Sequence, residues 1–369
     1  MEKPIFLRYF NGLKDKRSAF NRQYSLEEIL FLVFVATLAD VNTLEEMEDF
    51  GAERLDFLRQ YLPFKHGTPS ADTLRRVLAM LDAREFERCF VLWAQSLKGP
   101  LSGVIAIDGK SVCGSGNATE KPLHLLNAFA AETHLVLGQL ATDVKSNEIT
   151  AIPELLELLS IKGMVVTLDA MGCQKSIARV IREKDADYVL ALKKNHGDLY
   201  DDVTTFFKEE RKTNFSNTTV HQYETVEKDH GRLETRTITV SSAIDWLTQK
   251  DEWQGLQTLV EVHSTRESMS EKSQQTRYFL TSLPPQPQMI LAAVRAHWRV
   301  ENPLHWSLDV TFAEDDNRTR HKNIARNHSL IRKAALNTLK LRKPQKQSLQ
   351  RARKSAARSQ KHLANLLIP

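Results

Sequence analysis

Cysteine is scarce. The 369 residues include only Cys89, Cys113 and Cys173, far apart and without paired spacing. That excludes a disulfide framework and a cysteine-built zinc site, and it predicts three reduced thiols. Long apolar runs are also missing: the longest, Ile29–Ala36, is too short to span a bilayer. The N-terminus has no basic flank followed by an apolar export segment, so a cytoplasmic protein with no membrane partner is expected. Acidic residues stop at Asp316, although 15 of the 51 lysines and arginines lie beyond it. Residues 1–316 therefore hold 36 basic against 46 acidic residues, a balance of −10 inside an overall +5. A basic C-terminus on an acidic body is the footprint of a polyanion binder. A merely solvated helical face would usually interleave both signs.

What is present reads as a large globular chain of ordinary composition, 41% hydrophobic and 26% charged. Residues 1 to about 100 read as an all-α domain. Ser25, Thr43 and Asp82 each stand three residues before a glutamate, the capping-box spacing. Gly67-Thr68-Pro69-Ser70 precedes a helix over Ala71–Leu81 that carries Arg75 and Arg76. Such helices suit a helix-turn-helix or a plain bundle, and the bundle is preferred. From Gly103 the rhythm changes. Strands are predicted at Val104–Ile107, Leu125–Ala130, Leu135–Ala141, Val165–Leu168 and Tyr188–Leu192, with helices from about Pro153 and Gln174. A meander followed by β-α-β-α-β makes an α/β fold with an RNase H-like core more economical than a doubly wound sheet. The first and fourth strands would then be neighbours. A mostly β insertion is expected at about 195–285, within a catalytic domain of 101–342, before a basic tail at 343–369.

Three carboxylates stand out. Asp108 follows Val104-Ile105-Ala106-Ile107, and Asp169 follows Met164-Val165-Val166-Thr167-Leu168. Unalternated β-branched runs suit buried strands, and anions at their ends invite a divalent cation. Glu301 shares a helical face with Ile290 and Val294 if the helix is regular, and so is expected to point toward the core. The three are expected to converge on one site across separations of 61 and 132 residues. A lone Asp after a strand is more often a turn starter or N-cap. Here three coincide, beside the small residues Gly109, Ala170 and Gly172. Their chemistry suits phosphoryl transfer on two magnesium ions. Rivals lie near Glu301: Asp309, then Glu314-Asp315-Asp316, which read as an exposed acidic loop. His297, Glu301 and His305 at i, i+4 and i+8 offer a zinc alternative that Pro303 disturbs. Trp298 and Trp306 read as core or as base-stacking residues, and His230-Gly231-Arg232 as a hairpin loop or a cationic turn.

Several motifs together resemble a known family. They are Ile107-Asp108-Gly109-Lys110, Lys145-Ser146-Asn147-Glu148-Ile149-Thr150-Ala151-Ile152-Pro153, Asp169-Ala170-Met171-Gly172-Cys173-Gln174, His230-Gly231-Arg232 with Glu234 and Arg236, and His297-Trp298-Arg299-Val300-Glu301-Asn302 followed by Leu304-His305-Trp306. In that order they resemble the H-repeat-associated bacterial insertion-sequence DDE transposases. The family commonly carries arginine where this chain has Cys113. The resemblance implies cleavage at element ends and joining of 3′ hydroxyls to target DNA, with Asp108, Asp169 and Glu301 holding Mg²⁺ or Mn²⁺, two ions together. It implies double-stranded DNA as partner, both terminal inverted repeats and target, and a homodimer or larger assembly on DNA, nucleoid-associated in a bacterium. Lys110, His230, Arg232, Arg236, Trp298, Arg299, Arg342 and Lys343 are the nominated DNA contacts. The alternatives are a nuclease without strand transfer and an inactive DNA-binding relic.

Overall fold

The computed structural model describes residues 4–97, 102–142, 148–229, 231–268 and 272–367. Helices α1 (Ile5–Phe10), α2 (Leu26–Leu38), α3 (Leu44–Glu53), α4 (Leu55–Leu58), α5 (Ala71–Met80) and α6 (Ala83–Ser96) come first. Then follow β1 (Val104–Val112), β2 (Leu123–Ala130), β3 (Leu135–Thr142), α7 (Glu148–Leu158), β4 (Val165–Leu168), α8 (Lys175–Glu183), β5 (Asp187–Leu192) and α9 (Gly197–Lys212). Strands β6 (Val220–Asp229), β7 (Arg232–Ser241), β8 (Thr258–Glu267) and β9 (Lys272–Thr281) lead to α10 (Pro287–Trp298). A π-helix spans Glu301–Thr311 before α11 (Lys322–Arg342), α12 (Leu349–Arg358) and α13 (Gln360–Leu367). The chain forms two compact units: Met1–Pro100 with Gly109–Asn147 and Val300–Pro369, and Leu101–Asp108 with Glu148–Arg299.

In the first unit α2 is apolar all round and buried from Glu28 to Leu38, the signature of a central helix. Ser25 and Thr43 form reciprocal capping boxes with Glu28 and Glu46. Asp82 caps α6 by accepting from the amides of Arg84 and Glu85. Glu28 also accepts from the buried amide of Phe64 at 2.6 Å, so one carboxylate serves its own helix end and a distant loop. Phe6 stacks on Phe34 at 4.2 Å and meets Trp93 edge-on, joining α1, α2 and α6. Helix α11 packs against α2, α5, α6 and β3. Two of its inward-facing polar residues are bonded as follows: Asn337 brackets the N–H and C=O of Val136, and Lys333 donates to Gln139 and Ser329 at 2.7 Å. Strand β2 pairs antiparallel with β3, in the order β3-β2-β1.

The second unit has the strand order β1-β4-β5-β9-β8-β7-β6. Strands β1, β4 and β5 are parallel, as the intervening helices α7 and α8 require, and Val104–Ile107 pair with Val165–Leu168. The first and fourth predicted strands are therefore neighbours. The expected β insertion opens instead with the 16-residue helix α9, and its β9 pairs antiparallel with β5. It thus extends the sheet, because Phe279 and Leu280 at the end of β9 are buried and need a covered partner.

Candidate active site

Register does most of the work in the second unit. Ile107 pairs with Leu168, so Asp108 and Asp169 stand side by side where each leaves that parallel ladder. Both are half-buried. Asp169 Oδ1 accepts from the amides of Met171 and Gly172 at 3.0 and 3.2 Å, a turn that orients the carboxylate and leaves its second oxygen outside the turn. Gly172 is needed there, since a Cβ would come within 2.9 Å of the Leu168 side chain. Beneath this end of the sheet, His297 on α10 meets Thr167 Oγ1 through Nδ1 at 3.1 Å. Burial holds its pKa below the ordinary value, against an upward pull from the Asp169 charge, so the imidazole is neutral beside the carboxylates at pH 7. Burial likewise pushes the Cys173 thiol up and keeps it inert. Trp298 and Trp306 are 45% and 56% exposed rather than core, and the Arg277 guanidinium lies 4.4 Å from the Trp298 ring centre. Arg299 is exposed.

Glu301 belongs to the first unit and departs from expectation. The α-helix that holds Ile290 and Val294 ends at Trp298, and Glu301 opens the π-helix, where the amides of Leu304 and His305 both reach the carbonyl of Val300 at 3.2 Å. Regular α spacing no longer applies, and Glu301 is exposed instead of core-facing. The same change of pitch removes the spacing on which the His297–Glu301–His305 zinc alternative rested. Pro303 supplies no amide here, and its carbonyl accepts from Lys340 Nζ at 2.9 Å. Lys340 also donates to the carbonyl of His134 at 2.7 Å and lies 5.0 Å from the Phe129 ring centre, and burial brings its pKa down to about 7.

At the other end of the π-helix, Lys110 is buried among three carboxylates: Asp309 at 2.7 Å, Asp315 at 3.2 Å and Glu314 at 3.6 Å. Those anions outweigh its burial and hold its pKa above the ordinary value. Lys110 is thus an internal ion-pair partner rather than an open DNA contact. Glu314 is fully buried, not part of an exposed acidic loop: Ser329 donates to it, and Lys333, Arg332 and Lys110 hold its carboxyl below its usual pKa despite burial. Of that acidic run only Asp316 is exposed. Cys113 donates its backbone amide to Asp315 at 3.0 Å. Neither this lysine-centred cluster nor the seat of Lys340 could be read from the sequence, because Lys110 lies 205 residues from Asp315 and Lys340 lies 206 from His134; a Lys directly after an Asp-Gly was the one local sign.

Among the other nominated DNA contacts, Arg232 is exposed at the start of β7. Arg236 is neutralised by Glu227 at 3.0 Å and Glu234 at 2.6 Å. Arg342 is exposed and Lys343 half-buried. His230 and Lys145-Ser146-Asn147 lie outside the described residues. Of the C-terminal cations, Arg332, Lys333 and Arg353 are buried, so the acid-free stretch is partly an internal framework. Among the described residues no group of three or more His, Cys, Asp or Glu is disposed to hold a metal ion, and no helix is long and apolar enough to cross a membrane.

Comparison with known proteins gives this arrangement a family. Residues 7–94 match the DDE_Tnp_1-associated model and residues 99–338 the transposase DDE domain. The putative transposase YncI of Escherichia coli O157:H7 is 41% identical over 95% of this chain and 91% of its own length. The H repeat-associated putative transposase YhhI of Escherichia coli K12 is 38% identical over 100% of this chain and 98% of its own. Among solved structures, the cryo-EM structure of a piggyBac transposase synaptic complex with hairpin DNA is similar at 12% identity and a TM-score of 0.43, covering 98% of this chain and 76% of that one; a likeness of that order fixes neither fold nor function. The expected family is therefore established from the sequence matches: the chain belongs to the DDE transposases, within the H-repeat-associated group of bacterial members.

Proposed function

We propose that this chain is the DNA transposase of an insertion sequence, built on an RNase H-like core, cutting at the ends of its element and joining the freed 3′ hydroxyls to target DNA. The observation that carries the reading is the register that sets Asp108 and Asp169 side by side where β1 and β4 leave their parallel ladder, with β1 itself running on past Asp108 to Val112 rather than ending there. The order β3-β2-β1-β4-β5, with β2 and β3 antiparallel and β1, β4 and β5 parallel, supports the RNase H-like assignment. Asp108, Asp169 and Glu301 are the residues that would hold Mg²⁺ or Mn²⁺. The donor set fits, since hard carboxylates with one oxygen of Asp169 outside its turn suit a hard divalent ion. Bound there, two such ions would stabilise the attacking and leaving oxygens of an in-line displacement.

The chain's own residues prepare that chemistry. The two strands place Asp108 and Asp169, and the amides of Met171 and Gly172 fix the direction of the second. Neutral His297 adds no positive charge to compete with a metal. Lys340 and the Lys110 cluster hold opposite ends of the π-helix that begins at Glu301. DNA, as inverted repeats and target, is the proposed partner, with a homodimer or larger assembly on it.

The test uses full-length protein on a duplex bearing the inverted repeats that flank its gene. Asp108→Ala, Asp169→Ala and Glu301→Ala should each abolish Mg²⁺-dependent cleavage and leave binding intact or improved, because repulsion from phosphate falls. Substantial cleavage by Glu301→Ala would remove that residue from the site. Cleavage without joined products in a strand-transfer assay would leave a nuclease.

A further inference from the structure

A cleft of about 830 Å³ opens in the N-terminal helical part. Its lining includes Arg17, Arg22, His66 and Arg76 and no carboxylate. One wall is α5, which contributes Arg76, Val77 and Met80; another is the stretch before α2, a single turn of 3-10 helix over Ala19–Asn21 with its flanks. That stretch is strongly basic. Lys14, Lys16, Arg17 and Arg22 surround one acid, Asp15.

The loop is built. Arg17 binds Asp15 through Nε and Nη2 at 2.9 and 2.7 Å and reaches the carbonyl of Tyr24 at 2.9 Å. Arg22 donates to the carbonyls of Arg17 and Asp15 at 2.9 and 2.8 Å, and the Tyr24 hydroxyl donates to the carbonyl of His66 at 3.4 Å. Asp15 thus pairs with both arginines, with Arg17 at 2.7 Å and with Arg22 Nε at 3.6 Å, yet Arg22 stays 42% exposed, and Arg76 and His66 are also exposed. Arg76 is anchored on its own helix through the Asp72 carbonyl and the Thr73 hydroxyl. On the tip of this ordered loop Phe20 is 101% exposed, the most exposed large apolar side chain among the described residues.

Full hydration of a phenylalanine forfeits about 2 kcal/mol of available burial, and it stands next to cations held in place by backbone carbonyls. Phosphates flanking an apolar wedge have that pattern: basic side chains grip the backbone while a ring enters a base step and partly unstacks it. We propose that this cleft docks duplex DNA, with Arg22 and Arg76 on phosphates and the Phe20 ring wedged into a base step. The proposal rests on the DNA-handling reading above, but uses residues remote from its three carboxylates in sequence.

The experiment measures duplex affinity of the full chain by fluorescence anisotropy across a salt series, with Asp108→Ala as background so that no cleavage intervenes. Arg76→Glu and the pair Arg22→Gln/Arg76→Gln should weaken binding by about tenfold near 0.1 M salt and flatten the slope of log affinity against log salt by about 0.9 per phosphate lost. Phe20→Ala should keep the salt slope yet lose the rise in 2-aminopurine fluorescence that an unstacked step produces. Wild-type affinity and slope in the arginine variants would overturn the proposal, as would absence of duplex binding by the parent. If Phe20→Ala turns a sedimenting dimer into a monomer and leaves DNA behaviour unchanged, the surface joins two copies of the chain and the proposal falls. Failure of the carboxylate variants to stop cleavage, by contrast, touches only the catalytic assignment.

Discussion

Arg353 is the residue on which most of the C-terminal framework converges. It is completely buried and donates to the carbonyl of Thr37 at 3.1 and 2.8 Å, to Asn42 Oδ1 at 3.0 Å and to the carbonyl of Thr311, while Asp40 lies 3.0 Å away and the Phe312 ring 4.2 Å. It therefore joins the end of α2, the loop before α3 and the end of the π-helix. Arg353→Met would leave the partners of one cation unsatisfied together. The expected loss is about 3–5 kcal/mol, read as a fall in denaturant midpoint at unchanged slope. Arg353→Lys should recover only part of it, since an ammonium cannot reproduce the planar fork. A midpoint within about 0.5 kcal/mol of wild type would mean that these partners find other donors.

Among the elements, the π-helix is the one whose shape depends most on its neighbours. Lys340 grips its early carbonyl at Pro303, and the amine's folded pKa of about 7 lies below the ordinary 10.5. Between those values the unfolded chain binds more protons, so this group's contribution to stability rises with pH; below about 7 both states are protonated and the dependence vanishes. Wild type should gain on Lys340→Met as pH climbs from about 7 to 10, checked by urea midpoints of both proteins across that range. A constant difference would show that Lys340 is not buried in the way described. The same element marks where sequence reading stops. Strands β1 to β5 were legible because unalternated Val, Ile and Leu runs at short spacing leave few other folds, and the Asp108–Asp169 pairing followed from topology. The position of Glu301 was not legible, because a change from 3.6-residue to wider turns leaves no period in the sequence and extrapolation from Ile290 and Val294 assumed none. Helix α9 was missed because Asp, Glu and Lys dominate it, with only Leu199, Val203 and Phe207 buried. The burial of Glu314 was hidden for a different reason: its partners Lys333 and Arg332 read as surface charge until α11 is folded around them.

For the whole molecule, the basic C-terminus divides into two populations. Arg332, Lys333 and Arg353 face inward, whereas Arg351, Lys354 and Lys361 are exposed on α12 and α13. Deleting everything after Leu341 would remove Arg353 with buried Leu363 and Leu366, so it tests folding rather than binding. Replacing Arg351, Lys354 and Lys361 together by Gln isolates the surface contribution. If these three touch phosphate, the salt slope of DNA binding should flatten by about 2.7 at unchanged melting temperature, with any preference for element ends preserved. An unchanged slope would assign the exposed helices to solvent.

Neither unit is continuous in the chain, and this sets a calendar for synthesis. The amino-terminal helices emerge first, yet α11, against which α2, α5 and α6 pack, is translated more than 220 residues after α6 ends. At about 5–20 residues per second the early helices wait on the order of ten seconds or longer with Glu87 lacking Arg326 and α2 lacking a wall. A fragment that ends before Lys322 therefore lacks the helix against which α2, α5 and α6 pack. Limited proteolysis should therefore cut a 1–321 fragment faster than the whole chain, and equal resistance would mean that α2, α5 and α6 close without α11.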